Sequence, residues 1–191
     1  MVTEALLGFA VGIGLSAACG FRVFIPLLVM NLASLTGHLH FGPGFEWIGS
    51  TYATVAFGTA TLLEILAYTI PWLDHILDVI ASPAAVIAGT IATASMVIDM
   101  SPFLKWTLGI IAGGGVAAIV QGATVALRTK SSALTAGMGN PLVAAGELAG
   151  SVITALLAII VPILCLILIS LLCIFTTWKV GRFFLGRIKI I

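Results

Sequence analysis

Hydrophobic positions in this chain run in long blocks, interrupted by Gly, Pro and a few charges, with no strand-like alternation. The first block extends from about Ala5 to Ser34. As helix it would measure roughly 45 Å, against a bilayer hydrocarbon core of about 30 Å. One straight crossing does not fit. The block carries Gly8, Gly12, Gly14, Gly20, Arg22 and Pro26, which predicts two helical pieces with a break near Cys19–Arg22. A break at membrane depth is tolerated only where protein or a water-filled cavity satisfies the freed backbone. Arg22 either places its charge in such a cavity or snorkels to the surface.

Thr36 to Ser50 is the one clearly polar connection. His38, His40 and Glu46 have metal-ligating side chains, but two His residues in a loop form a thin ligand set. A solvated loop with Trp47 at the membrane interface is the plainer reading. Tyr52 to Ile70 forms the second block of span length, with Glu64 in its latter half. Ala53, Phe57, Ala60 and Thr61 precede Glu64 at helical spacing, so this face should turn toward a neighbouring helix and not toward lipid. Pro71 is expected to stop that helix. From Trp72 to Ile80, Asp74 and Asp78 share one face while Leu73, Ile76, Leu77 and Ile80 occupy the other, as in an interfacial amphipathic helix. Pro83 is expected to start a further helix running to Asp99, packed through Ala85-x-x-x-Gly89 and Ala88-x-x-x-Ala92.

Phe103 to Leu127 is the next span, rich in Gly109, Gly113, Gly114 and Gly115, and ending in Arg128-Thr129-Lys130. Gly8, Gly12, Gly14 and Ala17 fall on Gly109, Gly113, Gly115 and Ala118 at a constant offset of 101. That register fits an internal duplication with halves 1–100 and 101–177, a plan that places a transporter's site at the interface between repeats. Ser131 to Gly139 reads as a flexible loop. Asn140 to Thr177 then holds 38 residues with a single charge, Glu147. At roughly 57 Å this block also exceeds one span. It divides either into a half-helix over Asn140 to Gly150 or into a long helix kinked at Pro162. The segment 178–191 is a basic, aromatic tail with Lys179, Arg182, Arg187 and Lys189, half of the chain's eight basic residues. The positive-inside rule puts it in the cytoplasm.

Composition sharpens this picture. With 61% hydrophobic and 8% charged residues over 191 positions, the chain belongs with all-α polytopic membrane proteins of about five to seven transmembrane or half-membrane helices, some discontinuous. Residues 1–177 form one membrane domain, since no hydrophilic block is long enough to fold separately. The net charge of +1 says nothing about nucleic acid, but there is no basic run interleaved with aromatics of the kind that binds it, so no nucleic-acid partner is expected. Met1-Val2-Thr3-Glu4 lacks the basic n-region of a signal peptide, so the first block is read as retained helix. Gly12-x-Gly14-x-x-Ala17 matches a relaxed dinucleotide fingerprint without the strand it requires. Gly12, Gly14, Gly89, Gly113 and Gly115 are read as helix-packing positions. Cys19, Cys165 and Cys173 lie in apolar runs with no metal-site spacing. No cofactor and no metal are expected.

Gly12-Ile-Gly14-Leu-Ser-Ala17, Gly20-Phe-Arg22-x-Phe24-x-Pro26-Leu-Leu, Glu64 with Pro71, Asp74 and Asp78, then Pro83, Gly89, Arg128 and Asn140-Pro141 before Glu147 together resemble domain-of-unknown-function family 4126. The resemblance covers all but about the last 30 residues. It implies a multi-span protein of a bacterial inner membrane and carries no established activity. Tyr68 stands where the resemblance leads one to expect an acidic residue, and Ala144 and Leu148 stand where it leads one to expect Ser and Asp.

Intramembrane carboxylates are costly, about 2.5–3.5 kcal/mol at a helix centre on insertion scales, and mark functional sites. Glu64, Glu147, Arg22, Asp74, Asp78 and Arg128 are therefore the candidate pathway of a small transporter or channel. Glu64 and Glu147 would face a cavity, and Asp74 and Asp78 would line its mouth. Two other functions compete. A scaffold or complex subunit would use the same carboxylates to bond neighbouring helices, with small-residue faces against a second copy or a membrane-protein partner. A membrane enzyme would need a nucleophile–base pair or a metal set. Only Asp74, His75 and Asp78 approach one.

Overall fold

A computed structural model describes the backbone of residues 2–68, 73–98 and 100–188, and the side chains of residues 3–68, 77–98 and 100–182. Its elements are α1 (Val2–Phe21), α2 (Phe24–Leu35), a 3₁₀ turn (Glu46–Gly49), α3 (Thr51–Ala67), α4 (Leu73–Met96), α5 (Pro102–Leu108), a π-helical segment (Gly109–Gly114), α6 (Gly115–Thr135), α7 (Asn140–Ile160) and α8 (Pro162–Ile188). Among the described residues five helical stretches are long and apolar enough to cross a membrane: Thr3–Phe21, Leu77–Met96, Pro102–Thr135, Asn140–Ile160 and Pro162–Arg182. The protein is an all-α, multi-pass membrane protein whose apolar helices suit contact with a lipid bilayer.

The first block breaks where its composition predicts. Helix α1 ends at Phe21, Arg22 N–H still donates to the Ala18 carbonyl (3.1 Å), and α2 begins at Phe24. Helices α2 and α3 are short. At 17 residues, α3 reaches only about 25 Å, so the expected full span over Tyr52–Ile70 is a shorter helix. Ser50 caps it, its hydroxyl accepting from Ala53 N–H at 3.2 Å. Ala53, Phe57, Thr61 and Glu64 are its buried face. Pro71 and Asp99 lie outside the described residues.

Pro83 starts nothing. It sits inside α4, which runs unbroken through the expected interfacial helix and the expected span. Proline removes one backbone donor, a loss that hydroxyl side chains and neighbouring helices offset in membrane helices. The carbonyl that loses its helical partner to Pro83 is that of Val79; next to it, Ser82 Oγ donates to the Asp78 carbonyl at 2.7 Å. The flexible loop expected over Ser131–Gly139 is likewise helix as far as Thr135, followed by a tight turn in which Ala136 and Gly137 take positive φ (51° and 88°). At the far end α7 and α8 are two helices meeting at Val161. The chain folds back there, bringing Cys165 Sγ to 3.8 Å from the Thr154 carbonyl. Helix α8 crosses position 178 without a break.

Helix α4 is the packing axis, gripped between α1 and the π segment. A Cβ on Gly12 would lie 2.9 Å from Thr93 Cα, and one on Gly113 would collide with the Thr93 hydroxyl. Gly89 faces Ala117 and Ser16, whose hydroxyl donates to the Gly89 carbonyl. Gly14 receives Ala158 and Cys165. Gly115 departs from expectation, because nothing lies within 4 Å of a Cβ placed there, and Gly114 packs on Thr90 and Val86 in its stead. The i→i+5 turns of a π segment shift the helix face relative to an α-helix, so the 101-residue offset loses register just after Gly113. Gly12→Val should therefore cost about 1–3 kcal/mol by overpacking against backbone, and Gly115→Val much less. Thermal unfolding in non-ionic micelles measures both. Equal losses would contradict this packing.

Candidate functional site

Six side chains, from four helices and the break between α1 and α2, converge at one end of the bundle. The discontinuity between α1 and α2 leaves the first N–H groups of α2 without helical partners. Pro26 removes one of those donors, and Glu64 of α3 takes two others. Its Oε1 accepts from Val23 N–H at 3.0 Å and its Oε2 from Phe24 N–H at 3.2 Å. A carboxylate at a helix N-terminus also complements the positive end of the macrodipole. Glu64 is thus committed to the broken helix and does not face Glu147 across an open cavity.

Arg22 is 3% exposed and does not snorkel. Its Nη2 donates to the Ala144 carbonyl of α7 (3.1 Å) and lies 3.4 Å from Glu147 Oε2. The same Glu147 oxygen accepts from Arg128 Nη2, while Arg128 Nη1 bonds Asp78 Oδ1. Arg128, named from the sequence as a candidate pathway residue at the end of a span, is buried on α6 at 3% exposure. The helix continues beyond it to Thr135. Asp78 lies near the start of its membrane-length stretch and belongs to this cluster, not to the rim of a surface helix. The side chains of Asp74 and His75 lie outside the described residues.

Tyr68, at the C-terminal end of α3, is the residue sequence reasoning missed. The Arg22 guanidinium carbon stands 3.7 Å from its ring centroid and that of Arg128 4.4 Å, so one ring receives two cations. Its hydroxyl donates to Asp78 Oδ1 at 3.3 Å. Tyr68 follows Glu64 by four residues and so shares its helix face, and it stands where an acidic residue is expected; those two signals pointed to it. Four buried atoms of the cluster have no hydrogen-bond partner among the described residues: Arg22 Nε, Arg22 Nη1, Arg128 Nε and Glu147 Oε1.

Beside the cluster lies a cavity of about 160 Å3, lined by Arg22, Ile65 and Tyr68 on one side and Pro141, Ala144, Ala145 and Leu148 of α7 on the other. The three positions at which this chain departs from the expected family pattern, Tyr68, Ala144 and Leu148, all line it. At the other end of the bundle Lys105 is 7% exposed beneath the 42–45 loop, its Nζ 5.6 Å from the Phe45 ring centroid. The polar loop binds internally, His38 to the Thr36 hydroxyl (3.0 Å) and Glu46 to Gly44 N–H (2.9 Å). Among the described residues no three His, Cys, Asp or Glu side chains are placed to hold a metal ion.

Residues 9–182 match the family model described as Domain of unknown function (DUF4126). The chain belongs to that family. The DUF4126 match takes in every element carrying the cluster and extends into α8, further than the motifs alone suggested. No curated protein and no solved structure matches the chain.

Proposed function

We propose that this DUF4126 protein is a small membrane transporter or channel for an ion or small solute, with Arg22, Glu64, Asp78, Arg128 and Glu147 forming its charged site and Tyr68 added to it. One observation carries the reading. The ion pairs Arg22–Glu147 and Arg128–Asp78 join residues before position 100 to residues after it, at the break in a discontinuous helix and against a cavity. Transport sites are built at such junctions. Paired charges at membrane depth cost more than apolar packing of the same volume would, so a purely structural role leaves their presence without a benefit. Asp74, one turn before Asp78 in the sequence, is included in the proposed site on its sequence position alone. The basic residues after 178 favour a cytoplasmic C-terminus by the positive-inside rule, the membrane being, in this proposal, a bacterial inner membrane, and small-residue faces suit self-association.

The test needs no substrate. Replace Cys19, Cys165 and Cys173, introduce Ala144→Cys or Ala145→Cys, and label with a membrane-impermeant maleimide in right-side-out and inverted vesicles. Labelling of the same position from both faces is expected of a solute path. Silence from both faces, with His40→Cys labelled as control, would make the cluster sealed polar packing and the protein a scaffold.

A further inference from the structure

Helix α8 is the least embedded of the five spanning stretches. Only 11% of its most apolar part is buried, against 56% for that of α1, and no described residue beyond Ile169 is buried. From Pro162 to Thr177 it carries no charge. Charge then returns abruptly with Lys179 and Arg182, and Arg187 and Lys189 follow in the sequence. The Arg182 guanidinium carbon lies 5.0 Å from the Trp178 ring centroid and Lys179 Nζ 5.6 Å from that of Phe175, with the two rings 6.5 Å apart. All four side chains are exposed, and neither cation pairs with a carboxylate among the described residues. Lys130 lies at the same end of the bundle, because Ser132 and Asn140 tie the end of α6 to the start of α7 (2.9 Å) and α8 folds back along α7. Every exposed Lys or Arg among the described residues, Lys130, Lys179 and Arg182, therefore sits at the end that holds the charged cluster. The exposed acids Glu4 and Glu46 sit at the opposite end. Asp74 is the one further acid that the sequence places at the basic end, and its side chain lies outside the described residues.

We propose that this end of α8 binds the headgroup of an anionic phospholipid, through Lys179 and Arg182 with Trp178 and Phe175 beneath them. Depth selects the partner. Aromatic side chains gather where hydrocarbon meets headgroups, and here they lie within one helical turn of the first cations after an uncharged, lipid-facing run. The anions at that level are lipid phosphates. Basic residues just outside a spanning helix attract anionic headgroups, and the attraction fades within a Debye length. Lys179 and Arg182 are three residues apart and so are neighbours on the helix surface, close enough to meet one headgroup. The guanidinium offers a phosphate two parallel N–H donors, and the ammonium adds a point charge. The rings, one turn nearer the hydrocarbon, pack on the upper part of the acyl chains. A bound headgroup would also seat the end of a helix that has little protein against it. Lipid binding here is independent of whether the cluster of Arg22, Arg128 and their carboxylates passes a solute.

Tryptophan quenching by brominated lipids reads the lipid at a chosen depth. Trp178 is kept as the sole tryptophan of the full-length protein by Trp47→Phe, Trp72→Phe and Trp106→Phe, and the protein is placed in phosphatidylcholine bilayers. Quenching by brominated phosphatidylglycerol is compared with quenching by brominated phosphatidylcholine. A preference for the anionic lipid of at least about fivefold is expected, the contribution of one basic residue at the surface, and it should fall as salt is raised. The double variant Lys179→Gln with Arg182→Gln should lower that preference by about fivefold or more. Both side chains are exposed, so the bundle keeps its fold. Lys179→Arg should leave the preference in place. A protein whose sole tryptophan is Trp106, on α5 at the opposite end, should show no preference. Equal quenching of Trp178 by the two lipids overturns the proposal, as does an undiminished preference in the double variant or the same preference at Trp106. Stronger displacement of the lipid by inorganic phosphate than by chloride at matched ionic strength would make this a site for a soluble anion, and overturns it too.

Discussion

Arg128→Met is expected to destabilise the folded protein by about 3–5 kcal/mol, the cost of leaving buried partners of an ion pair uncompensated. Two carboxylates depend on this one guanidinium, Asp78 through Nη1 and Glu147 through Nη2. Both arms of the fork are used, so Arg128→Lys, a point charge on a flexible stem, should recover only part of the loss. Tyr68 loses one of its two stacked cations as well. Reversible unfolding by SDS in mixed micelles measures the difference. In the double variant Arg128→Met with Glu147→Gln the losses should fall short of additive by about 1 kcal/mol or more, because the second change removes a charge the first one stranded. A loss below about 1 kcal/mol for Arg128→Met alone would mean that the cluster is solvated and weakly coupled.

Much of the membrane architecture was legible because it depends on the length and polarity of blocks. The helix break at Arg22 could be read from a block too long for one crossing, and the burial of Glu64 from the small residues sharing its face. What escaped depended on local compensation or on distant partners. Pro83 reads as a helix start in isolation, yet the turns on either side of it carry α4 through. Arg128 sits with Thr129 and Lys130 in a run that looks like the end of a span, and only Asp78 and Glu147, 50 and 19 residues away, hold it inside. Gly115 was misplaced because the π segment changes the helical register within a run of glycines. Tyr68 has no polar signature until two guanidinium groups are seen against its ring.

These compensations share a logic. The break between α1 and α2 is met by side chains from other elements: Glu64 at the start of α2 and Ser151 donating to the Ala18 carbonyl (3.1 Å) near the end of α1. The discontinuous helix is therefore fastened at both edges of its break, and Arg22 in between reaches across to the Ala144 carbonyl of α7.

Glu64→Gln is the second substitution expected to have a large effect, and the geometry changes what it should do. Viewed only as an intramembrane carboxylate, Glu64 would lose flux on conversion to Gln while the protein kept its fold. In the structure both oxygens accept backbone N–H groups, from Val23 and Phe24. An amide offers one acceptor, and its NH2 would point a donor at a donor. One buried N–H is then orphaned, a loss of about 1–3 kcal/mol, and the carboxylate's interaction with the α2 N-terminus is lost with it. Glu64→Ala orphans both donors and should cost more. The local readout is hydrogen exchange of the Val23 and Phe24 amides, expected to accelerate by roughly tenfold or more in Glu64→Gln while the amides of α4 stay protected. If those two amides exchange as slowly as before and stability is unchanged, Glu64 does not cap the broken helix. A loss of flux in the same variant would then assign the carboxylate to the solute path alone.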